Sequence, residues 1–121
     1  MNLQVKSRLI GTQAAVVELA GEVDVYTVPN AKKVFFDLIG EGVRHFIVDL
    51  TAADYLDSTA LGALVGVLKR VAPDGGSVRL LSPQPRVRRV FEITRLDQVF
   101  PIHATEQEAV ESVIPAGESG R

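Results

Sequence analysis

The sequence predicts a single α/β domain whose mixed β-sheet has four to five strands and whose helices number about four. The chain has 121 residues, the length of one ordinary domain. Apolar residues follow a period of two near the N-terminus and helical spacing in later segments. The predicted order is β-β-α-β-α-β-α-(β)-α, in which strand–helix–strand units imply parallel, right-handed crossovers and the first hairpin makes the sheet mixed. We expect the domain to cover residues 1–113 and residues 114–121 to form a flexible tail.

The N-terminal third predicts an antiparallel hairpin and a helix. Apolar residues alternate with polar ones in two short segments that are separated by the turn Gly11-Thr12. A polar connection over residues 21–24 leads to Thr27, which can cap a helix that runs to about Ile39. The apolar residues with helical spacing, which should face the core, are Val28, Ala31, Phe35, Leu38 and Ile39.

The middle third predicts a central strand and a second helix. Residues 45–50 are nearly continuously apolar, which is typical of a strand that is covered on both faces. A loop over residues 51–57 leads to a helix from Ser58 to about Ala72, with Ser58 at the N-cap. The residues expected on the buried side of this helix are Leu61, Leu64, Val65, Leu68 and Ala72.

The C-terminal third predicts one strand, two helices and a short edge strand. The strand covers residues 78–81, the third helix begins near Pro85, and the edge strand covers residues 99–102. Thr105 is expected to cap the last helix, because Glu108 three residues later completes a capping-box pattern.

Composition excludes several classes of protein. Hydrophobic residues make up 46% of the chain at a net charge of −2, which is incompatible with intrinsic disorder. Because the chain has no cysteine, disulfide scaffolds, thiol catalysis and thiolate metal sites are excluded. The most apolar stretch, residues 59–68, is too short to span a membrane, and the near-neutral charge gives no general attraction to nucleic acid. We therefore expect a cytoplasmic protein with no membrane or nucleic-acid partner.

The densest group of functional side chains lies where the central strand leads into the second helix. It contains the carboxylates of Asp49, Asp54 and Asp57 and the hydroxyls of Ser58 and Thr59, and ligands in open α/β sheets gather at such junctions. The three carboxylates leave a receiver-like aspartyl phosphoacceptor open as an alternative. Two parts of such a site, an acidic pair after the first strand and a late lysine, are not evident.

The pattern does not favour enzymatic chemistry. Ser58 lacks the flanking glycines of a nucleophile elbow, and the chain has no glycine-rich phosphate loop with a lysine. His45 and His103 do not have metal-ligand spacing with each other or with the acids. We therefore expect no catalysis, cofactor or bound metal.

The surface of the second helix differs from an ordinary solvent-facing surface. It carries small or apolar residues where Glu, Lys and Gln are more usual, namely Thr59, Gly62, Ala63, Gly66 and Val67. Each helical glycine costs about 1 kcal/mol relative to alanine, so the pattern indicates that another backbone approaches closely. Two explanations are open: packing against a neighbouring element of the same domain, or docking of another protein.

Two roles are also open for Ser58. As an N-cap, its oxygen would accept hydrogen bonds from free backbone N–H groups, which is a purely structural role. A phosphoryl group on Ser58 would be tolerated by the positive helix terminus. A partner on the small-residue face would then meet about two new negative charges beside Asp57 and Asp24. Modification would thus end association without unfolding the domain.

The run Asp57–Gly62, which follows the strand Phe46–Leu50, resembles the phosphorylation motif of bacterial anti-sigma factor antagonists. These proteins belong to the sulfate transporter and anti-sigma antagonist (STAS) domain class. Residues Gly21–Thr27 resemble the second-strand loop of that family, and Val99–Ile102 resembles its late edge strand. The resemblance covers residues 3–113.

The resemblance implies a non-enzymatic phospho-switch. The unphosphorylated protein would bind an anti-sigma factor, often a serine kinase, and so release the sigma factor. That kinase would phosphorylate Ser58, and a serine phosphatase would restore binding. Ala60 stands where many members carry glycine, which leaves the acceptor intact. The residues expected to contact the partner are Glu22, Asp24, Asp57, Ser58, Thr59, Gly62, Ala63 and Gly66.

Two further expectations accompany this resemblance. The free protein should be a monomer or a weak homodimer. The main alternative function is that of a constitutive STAS adaptor or scaffold, whose affinity for its partner would not depend on Ser58.

Overall fold

The structure, a computed structural model, describes residues 2–82 and 84–114. Within this part of the chain the predicted order of elements is confirmed, with one additional strand. The strands are β1 (Leu3–Ile10), β2 (Ala14–Val23), β3 (His45–Asp49), β4 (Ala53–Leu56), β5 (Ser77–Leu81) and β6 (Ile102–His103). The helices are α1 (Val28–Gly40), α2 (Ser58–Val71), α3 (Pro85–Ile93) and α4 (Glu106–Val113), with short 3-10 turns at Ala72–Asp74 and Leu96–Gln98.

The strands form one mixed sheet, as the sequence predicts, but the sheet has six strands rather than four to five. Their spatial order is β1-β2-β3-β5-β6, and β4 pairs with β2 outside this path. The β1–β2 hairpin is antiparallel and the remaining pairs are parallel. Strand β2 is long enough to hold two parallel neighbours one after the other. Its first half, residues 14–18, pairs with β3, and residues 21–23 pair with β4.

The interpretation of residues 51–57 as a loop and of residues 21–24 as a connection was wrong, because β4 and the end of β2 form strands there. In β4 the outer residues are buried and the inner two are exposed, so the segment lacks the alternation that marks a half-buried strand. Gly21, the first residue of β2 that pairs with β4, has a φ of +114°, and a Cβ there would lie 2.2 Å from the carbonyl oxygen of Asn2, next to β1. A side chain at this position would therefore clash with the backbone on the other side of β2.

The larger part of the core lies between the sheet and helices α1, α2 and α3. The predicted buried residues of α1 are the observed ones, and Phe35 among them packs edge to face on Phe46 of β3 at 5.3 Å. On the opposite face of the sheet, Ile47 of β3 packs with Ala109 of α4. Strand β3 is therefore central and covered on both faces, as predicted.

Helix α2 is rotated relative to the prediction. Its buried residues are Ala60, Leu64, Val67 and Val71, whereas Leu61, Val65 and Leu68 are partly buried and Ala72 is exposed. The helix is apolar on most of its circumference, so two sets of residues have core spacing. The bulkier set was predicted to be buried, but the smaller side chains face the sheet. Val67, which was expected on the surface, is fully buried.

The C-terminal elements follow the prediction with a small shift. The edge strand is Ile102–His103 rather than residues 99–102, because Phe100 turns fully into the core. The Oγ1 atom of Thr105 accepts a hydrogen bond from the N–H of Glu108 at 3.2 Å, which confirms the predicted cap. Ile114, the first residue of the expected tail, is buried, and residues 115–121 lie outside the described part of the chain.

Candidate functional site

The N-terminus of α2 begins directly after β4, which places Ser58 at an edge of the sheet. The prediction that Ser58 is the N-cap was wrong by one residue, because Asp57 holds that position. The Oδ1 atom of Asp57 accepts a hydrogen bond from the N–H of Ala60 at 2.9 Å. Ser58 is the first helical residue, and it is exposed. Its hydroxyl is therefore not needed to cap the helix.

Asp57 also contacts the loop between β2 and α1. Its Oδ2 atom accepts a hydrogen bond from the N–H of Val25 at 3.1 Å, and its own N–H donates to the carbonyl oxygen of Val23 at 3.0 Å. This tertiary hydrogen bond explains why Asp57 rather than Ser58 caps the helix. Both residue types are good caps, but only the cap at position 57 also binds the loop.

Asp24 organises the same loop from within. Its Oδ1 atom accepts hydrogen bonds from the N–H groups of Tyr26 and Thr27 at 2.9 and 3.0 Å, and its Oδ2 atom accepts one from the hydroxyl of Tyr55 at 3.2 Å. Burial raises the pKa of the Asp24 carboxyl, but these hydrogen bonds outweigh burial and hold its pKa below the ordinary value of 3.8. Asp24 is 4% exposed, so the carboxylate stabilises the loop from beneath the surface.

Thr27 stands at the N-cap of α1 as predicted, but its hydroxyl makes no cap hydrogen bond. The Oγ1 atom accepts from the N–H of Asp24 at 2.9 Å and donates to the carbonyl oxygen of Glu22 at 2.8 Å. The first N–H groups of α1 are instead bound through Asp24, whose carbonyl oxygen accepts from Val28 at 2.8 Å. Thr27 therefore occupies the predicted N-cap position, but the expectation that its side chain caps the helix was wrong.

Tyr55 and its neighbours add an electrostatic feature to the site. Burial raises the pKa of the Tyr55 phenol, and the hydrogen bond to Asp24 and the negative charges of Asp24, Glu22 and Asp57 raise it further. The phenol is therefore held as a hydrogen-bond donor. The surface around Ser58 is acidic before any modification.

The predicted site residues differ in their exposure. Ser58, Thr59, Gly62 and Gly66 are exposed, Glu22, Asp57 and Ala63 are partly buried, and Asp24 is buried. A Cβ atom added to Gly62 or to Gly66 would meet no heavy atom within 4 Å. These two glycines are therefore not required for packing within the described domain, which removes that explanation for Gly62 and Gly66, whereas Val67 does pack in the core.

Three exposed apolar residues beside this surface were not predicted from the sequence. Val25, Tyr26 and Tyr55 are 54%, 75% and 44% exposed. Val25 and Tyr26 lie between the predicted connection and the predicted helix cap, and Tyr55 lies in a segment that was interpreted as a loop, where apolar side chains have no predicted partner. Large apolar residues in predicted loops next to the candidate site are the signal that could have found them.

The three carboxylates of the receiver-like alternative are not brought together. Asp49 lies on the sheet face that α4 partly covers, where it lines a groove of about 260 Å³ with Glu18. Asp54 is exposed on β4, and Asp57 caps α2. Across residues 2–82 and 84–114, no three His, Cys, Asp or Glu side chains are placed to hold a metal ion together. Nor is any helix in this range both long and apolar enough to cross a membrane.

Comparisons with known proteins agree with this architecture. A family model described as "STAS domain" matches residues 3–109. An "Anti-sigma-B factor antagonist" of Staphylococcus aureus is 38% identical over 95 residues, which are 78% of this chain and 86% of that protein.

Two solved structures extend the comparison to both states of one protein. The anti-sigma factor antagonist SpoIIAA in its unphosphorylated form has a TM-score of 0.77 at 26% identity, over 93% of this chain and 96% of that one. The Bacillus cell fate determinant SpoIIAA in the phosphorylated form has a TM-score of 0.71 at 25% identity, over 93% and 100% of the two chains. The likeness thus spans nearly the whole of each chain.

Proposed function

The chain belongs to the STAS domain family, and from this premise we propose that it is an anti-sigma factor antagonist whose partner binding is switched off by phosphorylation of Ser58. The unphosphorylated protein binds an anti-sigma factor that is a serine kinase, and the sigma factor is released. The kinase then transfers the γ-phosphoryl group of ATP to the hydroxyl of Ser58, which loses its proton as ADP leaves. A serine phosphatase hydrolyses the ester and restores binding.

The observation that carries this proposal is the position of Ser58 in the first turn of α2. The side chain is exposed, and Asp57 rather than Ser58 accepts from the N–H of Ala60. Phosphorylation therefore modifies a hydroxyl that does not itself cap the helix. The helix N-terminus also stabilises a negative group through its dipole and its free N–H groups. The fold should consequently tolerate the modification.

A bound partner would not tolerate a phosphoryl group on Ser58. A phosphoryl group adds a charge of about −1.5 to −2 at neutral pH, next to Asp57 and close to Glu22 at the end of β2 and Asp24 in the loop that follows. Burying that charge in an interface without a cationic partner costs several kcal/mol, which is a large share of the roughly 8 kcal/mol of a micromolar complex. Charge at a single side chain is thus enough to end the association.

The partner-binding surface proposed here combines the first turns of α2 with the loop before α1. Gly62 and Gly66 supply a surface that another backbone can approach closely, and Thr59 and Ala63 border it. Asp57 and Glu22 contribute partly buried carboxylates to its rim. Asp24 contributes indirectly, because its buried carboxylate fixes the loop. The protein is proposed to act in the cytoplasm as a monomer or a weak homodimer.

Calorimetry with the anti-sigma factor kinases of the source organism tests the switch. Ser58→Asp should weaken binding at least tenfold, whereas Ser58→Ala should bind like the unmodified protein and resist inactivation by the kinase and ATP. Thr59→Ala is the matched control for the acceptor, since it removes the neighbouring hydroxyl and should still be inactivated by the kinase and ATP. Equal affinities of the Ser58→Asp and unmodified proteins would contradict the switch and support a constitutive adaptor.

Mass spectrometry after incubation with the kinase and ATP tests the acceptor itself. A phosphate ester on Ser58 that survives acid is expected. An acid-labile acyl phosphate on an aspartate would instead support the receiver-like alternative.

A further inference from the structure

Two carboxylates accept hydrogen bonds from backbone N–H groups of the loop between β2 and α1. The N–H groups of Tyr26 and Thr27 donate to Asp24, which belongs to the loop itself. The N–H of Val25 donates instead to Oδ2 of Asp57, which is 32 residues away and belongs to the start of α2. Val25 is therefore the point at which the order of the loop depends on the helix that carries Ser58.

This loop displays large apolar side chains beside the helix terminus. Val25 and Tyr26 are 54% and 75% exposed. Exposed apolar side chains contribute most to an interface when they are held in place before binding, because little conformational freedom is then lost. The hydrogen bond from Val25 to Asp57 provides such preorganisation.

We propose that Asp57 is a positioning residue that couples Ser58 to this loop, so that a phosphoryl group on Ser58 weakens the hydrogen bond between Asp57 and Val25 and loosens the loop at Val25 alone. The inference rests on the proposed function, since it concerns the regulation of the same site. It adds a second consequence of phosphorylation to the direct repulsion of the partner.

Two physical effects act in this direction. The phosphoryl oxygens compete with Oδ1 of Asp57 for the N–H groups of the first turn of α2, including that of Ala60. In addition, their negative charge repels the adjacent carboxylate. Asp57 uses its two oxygens for Ala60 and Val25 at the same time, so any shift that weakens one contact disturbs the other.

The test uses the whole chain with phosphoserine incorporated at position 58 during translation, so that no kinase is needed. Exchange of individual amide protons with solvent is measured by NMR in both forms. The Val25 amide should exchange about tenfold faster in the phosphorylated form, which corresponds to about 1.4 kcal/mol. The amides of Tyr26 and Thr27, which Asp24 holds, should not change. Unchanged exchange at Val25, or equal acceleration at all three amides, would overturn the proposal.

Asp57→Ala completes the experiment. In the unphosphorylated variant the Val25 amide should already exchange as fast as in the phosphorylated wild type, and phosphoserine should cause no further acceleration. Further acceleration would show that Asp57 does not transmit the effect. If Asp57→Ala does not fold, as judged by the Tyr26 and Thr27 amides, Asp57→Asn replaces it, and phosphoserine should then accelerate exchange at Val25 less than in the wild type.

These readouts are independent of partner binding. If the Val25 amide does not respond while Ser58→Asp still weakens the complex, the coupling fails and the proposed function stands. If Ser58→Asp leaves the affinity unchanged, the proposed function fails whatever the loop does.

Discussion

Replacing Gly62 and Gly66 of α2 by alanine should stabilise the protein. Both glycines are exposed, and a Cβ atom at either position would contact no heavy atom within 4 Å. Alanine is favoured over glycine inside a helix by about 0.8–1.0 kcal/mol per residue. The double variant should therefore gain about 2 kcal/mol in free energy of unfolding, which raises Tm by roughly 6–8 °C in a domain of this size.

A larger side chain on the same surface should weaken partner binding even though it stabilises the fold. Gly62→Gln introduces a residue with a helix propensity close to that of alanine, so the free energy of unfolding should again rise. The long side chain would stand where the partner is proposed to approach, and the affinity for the anti-sigma factor should fall at least tenfold. If replacing Gly62 stabilises the fold but weakens binding, the glycine has been selected for function rather than for packing.

Denaturant unfolding, thermal unfolding and calorimetry measure these effects, and Gly76→Ala is the matched control. A Cβ at Gly76 would lie 2.2 Å from the carbonyl oxygen of Arg44, so this variant should lose about 1–3 kcal/mol of stability. A loss of stability in Gly62→Ala or Gly66→Ala would refute the reasoning about open space. Normal partner affinity of Gly62→Gln would refute the proposed role of the helix surface.

Two further predictions concern the core and the opposite face of the sheet. Val67→Ala should lower the free energy of unfolding by about 2 kcal/mol, because Val67 is fully buried. Thr59→Ala, on the exposed surface of the same helix, should change the free energy of unfolding by less than about 0.5 kcal/mol. Equal losses for the two variants in urea unfolding would contradict the observed rotation of α2. Burial, with a smaller contribution from Arg79, holds the pKa of His45 and His103 below the ordinary value of 6.5. As the pH falls through 6.5 the unfolded chain binds protons before the folded one, so stability should decrease with falling pH until the folded-state pKa values are passed. His45→Gln should flatten this dependence, and a flat stability profile of the wild type between pH 7 and 5 would contradict it.

Elements with a strong local signal were predicted correctly. The hairpin has a clear turn, the buried residues of α1 have strict helical spacing, and the cap at Thr105 follows from two residues three positions apart. In each of these cases the physical cause lies within one short segment of the chain.

Features that depend on contacts between distant segments were not predicted. Strand β4 exists because Gly21–Val23 offers a pairing edge, and four residues with no alternation give no sign of it. The helix cap moved from Ser58 to Asp57 because the N–H of Val25 supplies a second hydrogen bond to Asp57. For α2, apolar residues on most of the circumference allowed two orientations, and packing against the sheet decides between them.

The pairing of β4 with β2 has a consequence for how Ser58 can be reached. The residues just before the serine are hydrogen-bonded into a sheet, and those after it form a helix. This segment is therefore not a free, extended peptide that could bind along a catalytic cleft. An enzyme that modifies Ser58 has to recognise the folded shape of the domain. A synthetic peptide with the same local sequence would lack that shape and would be a poor substrate.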